Sequence, residues 1–151
     1  MAESEVAALD LTGWRIADPD DRYEIKAGPF RCREDADGAL EFVLAVAADH
    51  CNSAGIVHGG LMMTMADLVA SAVTVQHRPG EFALTISMTH NFLAPARIGD
   101  VIRGRAEVRR QGASIAFTEV RLATAAGPIL TASAVIKRTP RAKVAAHSAA
   151  E

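Results

Sequence analysis

The distribution of apolar residues indicates one long buried helix in the middle of the chain. After Gly59 and Gly60, the longest stretch free of glycine and proline reaches about Gln76, and apolar residues lie on nearly every side of it. A helix of this kind is typical of a protein interior rather than a surface. We therefore predict a helix over residues 59 to about 76 that other elements enclose.

Alternating patterns predict the strands that enclose this helix. Phe82, Leu84, Ile86 and Met88 alternate with alanine or hydroxyl-bearing residues, which is the period of a half-buried strand. The other predicted strands cover residues 23–33, 40–48, 101–109, 114–124 and 129–137. A short helix is predicted over residues 5–16, ahead of the first strand.

Short polar or glycine-containing segments join most of these strands, at residues 35–38, 110–112 and 125–128. Connections of this length favour antiparallel hairpins. The strands do not alternate with helices, so a parallel sheet is not expected. The prediction is an α+β fold in which one long central helix packs against a curved antiparallel sheet of five to six strands.

The length of 151 residues and the apolar half of the composition suit one domain with one core. We predict three parts: an N-terminal extension with the short helix over residues 1–20, the main domain over residues 21–138, and a flexible tail over residues 139–151. The tail is rich in alanine and basic residues and is expected to be mobile.

Charge and cysteine content exclude several classes of function. A formal net charge of −2 gives no overall attraction to nucleic acid or to an anionic membrane. Cys32 and Cys51 are the only cysteines and form no CxxC pair, which favours a reducing compartment. The N-terminus is acidic, and no apolar run approaches the ~20 residues of a membrane span. A cytoplasmic protein is expected.

A single carboxylate interrupts the predicted buried helix. Asp67 is its only charged residue before Arg78, and an unpaired buried charge is costly. Asp67 is therefore either a structural residue paired with a neighbouring strand or part of a functional cleft. For an isolated aspartate the structural interpretation is favoured, and only its neighbours change that balance.

The start of the same helix offers hydrogen-bond donors. The first turn of a helix has backbone N–H groups without internal acceptors, and Gly59 has no Cβ to obstruct an approaching ligand. Such donors suit the oxyanion that forms when a carbonyl becomes tetrahedral. The alternative is that Gly59 and Gly60 only make a tight turn.

The spacing of these groups has a consequence for assembly. Gly59 and Asp67 are eight residues apart, which is about 12 Å along a helix axis. One chain therefore cannot bring both to one carbonyl. Two antiparallel copies of the helix, related by a two-fold axis, would set Asp67 of one chain opposite Gly59 of the other and create two shared sites.

These residues belong to a pattern that extends over residues 49–137. Its parts, in chain order, are Asn52, Gly55, His58-Gly59-Gly60, Ala66-Asp67, the segment from Thr85 to Ala96, Gly99-Asp100 and the three closing strands. The combination resembles the hotdog-fold thioesterases of the phenylacetate-pathway (PaaI-like) type. The resemblance implies a helix enclosed by a curved sheet, assembly into homodimers or homotetramers, and hydrolysis of acyl-CoA thioesters without a metal or cofactor.

The resemblance also implies roles for individual residues. Asp67 would act as general base on water or as nucleophile, and the Gly59 N–H would polarise the thioester carbonyl. Asn52 would lie near the attacking water, and His58 near the acyl carbonyl and its loop. Thr85 falls where related enzymes place a hydroxyl near the carboxylate. The expected substrate is a small aromatic (aryl or arylacetyl) or a short-to-medium acyl-CoA.

Coenzyme A carries phosphates, and basic side chains near strand ends could meet them. The residues predicted to contact coenzyme A are Gly60, Arg97, Arg109, Arg110, Lys137 and Arg138. Arg103 and Arg105 are weaker candidates, because Arg103, Arg105, Glu107 and Arg109 alternate as on a solvent-facing strand surface.

Other chemistries are less well supported. His50, Cys51 and His58 lack the paired spacing of zinc ligands, so no metal is predicted. The sequence shows no arrangement of residues that would activate Cys51 as a nucleophile. A non-catalytic acyl-CoA binder stays an alternative, although binding alone would not require Asp67. A hotdog dehydratase is a weaker one, because His58 precedes two glycines rather than lying in a proline-rich loop.

Overall fold

In the computed structural model the described part of the chain is residue 6 and residues 9–148. The apolar helix predicted in the middle of the sequence is present as α2, Gly59–Val75. Met65, Ala66, Val69 and Ala70 on this helix are completely inaccessible to solvent. A helix buried on this many sides requires partners around it, and strands of the sheet supply them.

The sheet is antiparallel throughout, as predicted. Its strands are β1 (Arg15–Ile16), β2 (Arg31–Glu34), β3 (Leu40–Ala45), β4 (Glu81–Phe92), β5 (Val101–Gln111), β6 (Ile115–Thr124) and β7 (Gly127–Pro140). They lie in the order β1-β2-β3-β5-β6-β7-β4, with α2 packed against β4 to β7. The α+β class and the central helix are confirmed. The described residues form seven strands rather than five to six, because the two-residue β1 adds one edge.

The N-terminal region differs from the prediction. Residue 6 and residues 9–14 contain turns and irregular backbone rather than the helix expected over residues 5–16, and residues 5, 7 and 8 lie outside the described part of the chain. The first half of the strand expected over residues 23–33 is instead a helix, α1 (Arg22–Ala27). The Asp21 side chain caps this helix by accepting the Glu24 N–H at 2.9 Å, and the Gly28-Pro29 pair ends it.

Within the segment predicted as a flexible tail, β7 extends to Pro140 and residues 141–148 form a helix, α3 (Arg141–Ser148). Alanine, lysine and arginine all have high helix propensity, which explains the helix. No helix in the described residues is long and apolar enough to cross a membrane.

A bulge in β4 changes which of its residues face the core. Thr85 pairs with Ile136 and Ser87 with Val135, so Ile86 is an extra residue in the strand. Ala83 before the bulge and Met88 after it pack against the core. The predicted simple alternation is therefore wrong here: Phe82, Leu84 and Ile86 are 37%, 41% and 57% exposed, on the strand that forms one edge of the sheet.

The packing of α2 on β5 depends on a close approach at Gly104. A Cβ added to Gly104 would lie 2.9 Å from Cγ2 of Val69 and 3.1 Å from Cδ2 of Leu122. We expect Gly104→Ala to lower the free energy of unfolding by about 1–3 kcal/mol, because the helix and sheet must separate to admit a methyl group. Chemical denaturation measures this. Gly80→Ala is the matched control, since a Cβ there meets nothing within 4 Å, and an equal loss in both variants would contradict the packing argument.

Candidate active site

Asp67 and Thr85 form the first half of the candidate site. The Thr85 hydroxyl donates to Oδ1 of the half-buried Asp67 at 2.5 Å. Thr85 reaches the helix because it lies immediately before the β4 bulge, on the same face as Ala83. This contact is the one that the family resemblance implied for Thr85. The hydrogen bond holds one carboxylate oxygen in place and leaves Oδ2 as the atom that can meet a water or a substrate.

The second half lies at the start of α2. His58 is the N-cap residue, and its Nδ1 accepts the Gly60 N–H at 3.1 Å. An imidazole nitrogen that accepts cannot carry the proton, so the neutral ring is protonated at Nε2 and can donate there. His58 thus caps the helix through Nδ1. Its Nε2–H stays available as a donor to a ligand.

Gly59 supplies the backbone donor predicted at this point. The N–H of Gly60 bonds His58, and those of Leu61 and Met62 bond the His58 carbonyl. Among the described residues the Gly59 N–H has no acceptor, so it is the unused donor of the first turn. The Phe92 ring lies 3.4 Å from where a Cβ on Gly59 would stand, so the ring is in van der Waals range of the start of the helix.

The loop before the helix is organised by Asn52. Its Oδ1 accepts the N–H groups of Ala54 at 3.0 Å and of Ile56 at 3.3 Å, and Gly55 closes the turn at φ +70°. The side-chain NH₂ of Asn52 is then the end that can bind a ligand. Asn52 and His58 lie at the two ends of one small bridge-closed loop, since Cys51 pairs with Val57.

The two halves occupy different clefts in one chain. His58 and Gly60 line a cleft of about 620 Å³, whereas Asp67 and Thr85 line another of about 550 Å³. Gly59 of one half and Asp67 of the other both lie on α2, where about 12 Å of helix separates them. The structure thus brings Asp67 to Thr85, and Asn52 to the His58 turn, but it does not bring these two groups together within one chain.

Glu24, on α1, is a residue that the sequence analysis missed. It lines the same cleft as Asp67. Burial raises its pKa to about 7, with further contributions from the negative charges of Asp21, Asp18 and Asp67. The signal was present in the sequence: aspartate followed three residues later by glutamate resembles a capping box, which would have predicted α1 and placed Glu24 on it.

His90 is the second missed residue. It lies on β4, its ring stacks on Phe92 at a centroid distance of 6.4 Å, and its Nε2 is buried with no hydrogen-bond partner among the described residues. Burial lowers its pKa, and the Asp67 charge opposes this shift. The lowered pKa favours the neutral His90 ring at pH 7. An isolated histidine in an alternating strand carries no signal that distinguishes it from a core residue.

The residues predicted to bind coenzyme A are scattered. Gly60 uses its N–H to bond His58. Arg109 pairs with Glu107 at 2.9 Å and with Glu119 at 3.7 Å, whereas Arg110 and Lys137 are simply exposed. Arg97 is exposed and pairs with Ile56 of the Asn52 loop. Of the basic candidates, Arg97 is the one paired with the loop beside the helix-start half of the site.

Arg138 requires a correction. Its side chain is only 3% exposed and pairs with Glu81 at 2.9 Å, and its Nη2 donates to the carbonyls of Gly112 and Ala113. A guanidinium that is buried and shared among these acceptors cannot also present itself to a phosphate. Arg138 instead ties the β5–β6 turn to the beginning of β4.

His50, which was considered as a metal ligand, has both ring nitrogens engaged. Its Nδ1 accepts the Ala47 N–H at 3.0 Å, and its Nε2 lies 3.0 Å from the Gly28 carbonyl oxygen, to which it donates. This histidine fastens the end of α1 to the segment after β3.

The chain is similar to known thioesterases and esterases. The family model described as the thioesterase superfamily matches residues 54–130. A Pseudomonas aeruginosa protein with a provisional esterase name is 34% identical over 109 residues, which cover 72% of this chain and 81% of that protein. Human acyl-coenzyme A thioesterase 13 is 31% identical over 87 residues, which cover 58% of this chain and 62% of that protein.

A solved structure extends the comparison to the fold. It is a Ralstonia eutropha protein related to phenylacetic acid degradation and provisionally named a thioesterase. It aligns with a TM-score of 0.67 and 26% identity, covering 78% of this chain and 90% of that chain. The resemblance to hotdog-fold thioesterases that the sequence motifs indicated is thereby confirmed at the level of family and fold.

The raised pKa of Glu24 predicts how stability depends on pH. The folded chain holds this proton up to about pH 7, whereas the unfolded chain releases it near 4.5, so the free energy of unfolding falls as the pH rises through this window. Between pH 5 and pH 8, we expect the free energy of unfolding of the wild type to fall by roughly 1 kcal/mol more than that of Glu24→Gln, after allowance for the solvent exposure of Glu24. Urea denaturation at several pH values measures this, and parallel pH profiles for the two proteins would contradict it.

Proposed function

This chain belongs to the thioesterase superfamily and is a thioester hydrolase, and we propose that it hydrolyses acyl-CoA to free acid and coenzyme A at a site shared by two copies of the chain. The observation that carries the proposal is the arrangement on α2. This helix has an unused N–H donor at Gly59 and, about 12 Å further on, an Asp67 carboxylate oriented by Thr85. Each is half of a site for thioester hydrolysis.

The free edge of the sheet supports a dimer. β4 is an edge strand, and unpaired strand edges bind other strands readily. Its exposed Phe82, Leu84 and Ile86 are apolar, which suits a contact rather than solvent. If two β4 strands pair antiparallel about a two-fold axis, the two α2 helices also run antiparallel, and Asp67 of each chain faces Gly59 of the other. Two such dimers could form a tetramer.

In the proposed mechanism, the thioester carbonyl oxygen accepts hydrogen bonds from the Gly59 N–H and from Nε2–H of His58. Asp67 of the partner copy removes a proton from water, and the water oxygen bonds the carbonyl carbon. Negative charge on the carbonyl oxygen is stabilised by the same two donors. The carbon–sulfur bond then breaks, and the coenzyme A thiolate leaves and takes up the proton. A variant of this scheme has Asp67 attack directly as nucleophile and water hydrolyse the anhydride.

The remaining residues would orient these groups. Thr85 holds Asp67 by the hydrogen bond described above, and the NH₂ of Asn52 would bind the attacking water. Arg97, adjacent to the Asn52 loop, is the residue we propose for a coenzyme A phosphate, since the other basic candidates lie on the sheet surface or are buried. All steps use groups of the chain and water, with no cofactor.

The Asp67 cleft supports small aromatic or short-to-medium acyl groups as substrates. Its volume of about 550 Å³ limits the size of the acyl group. Its lining combines apolar side chains, among them Leu68 and Ala72, with a larger number of polar and charged ones. The similar Ralstonia eutropha protein is related to phenylacetic acid degradation. This similarity supports aryl and arylacetyl groups as substrates within this range.

The catalytic role of Asp67 predicts the behaviour of Asp67→Asn. The amide keeps the shape of the side chain and loses the base, so kcat should fall by about 10²–10⁴ with KM nearly unchanged. The measurement is free-thiol release from aryl-, arylacetyl- and straight-chain acyl-CoAs. Size-exclusion chromatography serves as control, since the variant should assemble like the wild type. Wild-type binding of acyl-CoA without turnover of any of them would favour a non-catalytic binding protein instead.

A shared site predicts complementation between two inactive variants. Asp67→Asn and His58→Ala damage different halves, so a mixed dimer has one site with both defects and one intact site. Equal co-expression should restore about a quarter of the wild-type activity, because about half of the dimers are mixed and each has one working site. Each variant expressed alone is the control. Activity no higher than the mean of the two variants would contradict a site made from two chains.

A further inference from the structure

The helix α1 lies over the Asp67 side of α2. The Tyr23 hydroxyl is 3.2 Å from the Thr64 hydroxyl, and Thr64 precedes Asp67 by about one helical turn. Glu24, the next residue on α1, lines the same cleft as Asp67 and Thr85. This cleft is therefore lined by the Glu24 carboxyl of α1 as well as by the Asp67 carboxyl of α2.

The Glu24 carboxyl lacks a hydrogen-bond partner. Its Oε2 is buried, and none of the described residues bonds it. The pKa of about 7 leaves much of this carboxyl protonated at neutral pH, so it has a proton to donate as well as an oxygen to accept. A buried polar group without a partner is costly, and a ligand that supplies the partner recovers that cost.

We propose that Glu24 is a specificity-determining residue, whose undissociated carboxyl selects uncharged acyl groups that carry a hydroxyl or carbonyl oxygen. This rests on the proposed function, since the acyl group is taken to occupy the Asp67 cleft. An unsubstituted alkyl or aryl group would fill the same space and leave the carboxyl unpaired. A site that hydrogen-bonds a substrate oxygen discriminates strongly against the analogue that lacks it.

The charges around the cleft explain why the oxygen should be uncharged. Four other carboxylates face it, those of Asp18, Asp21, Glu34 and Asp67. Two arginines line its rim. Arg15 donates to the carbonyls of Ile16 and Ala17, and Arg141 lies 5.6 Å above the Phe82 ring. Carboxylates outnumber cations, so an acyl group ending in a carboxylate is disfavoured.

The test compares kcat/KM for hexanoyl-CoA, its positional hydroxy isomers and adipoyl-CoA, which ends in a carboxylate. The wild type should prefer at least one hydroxy isomer to hexanoyl-CoA by about tenfold, and adipoyl-CoA should be the poorest substrate. Glu24→Met has a similar length and no polar atom that can donate, so its preference should fall to about one. Glu24→Gln should keep the preference, since its amide also donates.

The pH dependence gives a readout that a structural role would not move. As the wild-type carboxyl ionises above pH 7 it loses its proton, so its preference for an oxohexanoyl-CoA isomer, whose carbonyl oxygen can only accept a hydrogen bond, should decline. The preference of Glu24→Gln for the same ester should stay constant. A wild type without preference, or a Glu24→Met variant with the wild-type ratio, would overturn the proposal. If no thioester is turned over, the proposed function is wrong, but the role of Glu24 can still be tested. The ratio of the dissociation constants of hexanoyl-CoA and its hydroxy isomers then replaces the ratio of kcat/KM values in the wild type and both variants.

Discussion

Burial of α2 is the constraint on which the rest of the structure depends. Because this helix is apolar on nearly every side, the sheet must curve around it. Gly104 of β5 permits close packing at this contact, where a Cβ would crowd both Val69 of the helix and Leu122 of β6. The same helix begins with the Gly59 donor and carries Asp67 two turns later. The separation of the two chemical groups is thus set by the rise of a helix that packing holds rigid, and this is why the proposed site requires a second copy of the chain.

The bulge in β4 is the second decisive feature, because it connects the site to the free edge of the sheet. The extra residue Ile86 reverses the faces of the strand. Before the bulge, Thr85 faces α2 and bonds Asp67, whereas Phe82 and Leu84 face outward. One irregularity in the strand therefore orients the carboxylate and exposes an apolar edge for a partner.

The carboxyl groups of the Asp67 cleft have different environments, and this difference gives them different chemistry. Asp67 receives a hydroxyl hydrogen bond from Thr85, while Glu24 is half-buried beside other negative charges and retains its proton to about pH 7. Burial beside like charges favours the neutral form of a carboxyl group. One cleft therefore contains a carboxyl group oriented by a hydroxyl and another that retains its proton to about pH 7.

Local patterns in the sequence determined α2, most strands and the hairpins, because helix and strand periods depend on residues close together in the chain. The Asp67–Thr85 pair was implied by the family resemblance, and their hydrogen bond shows them as neighbours. The capping signal of α1 was equally local, although the apolar Tyr23 and Ile25 also suit a strand. Only the tertiary structure decided that Glu24 joins Asp67, that Arg138 is buried against Glu81, and that β4 reverses its faces. These facts depend on contacts between elements distant in sequence, where packing determines which charges share a cleft and which lose access to solvent.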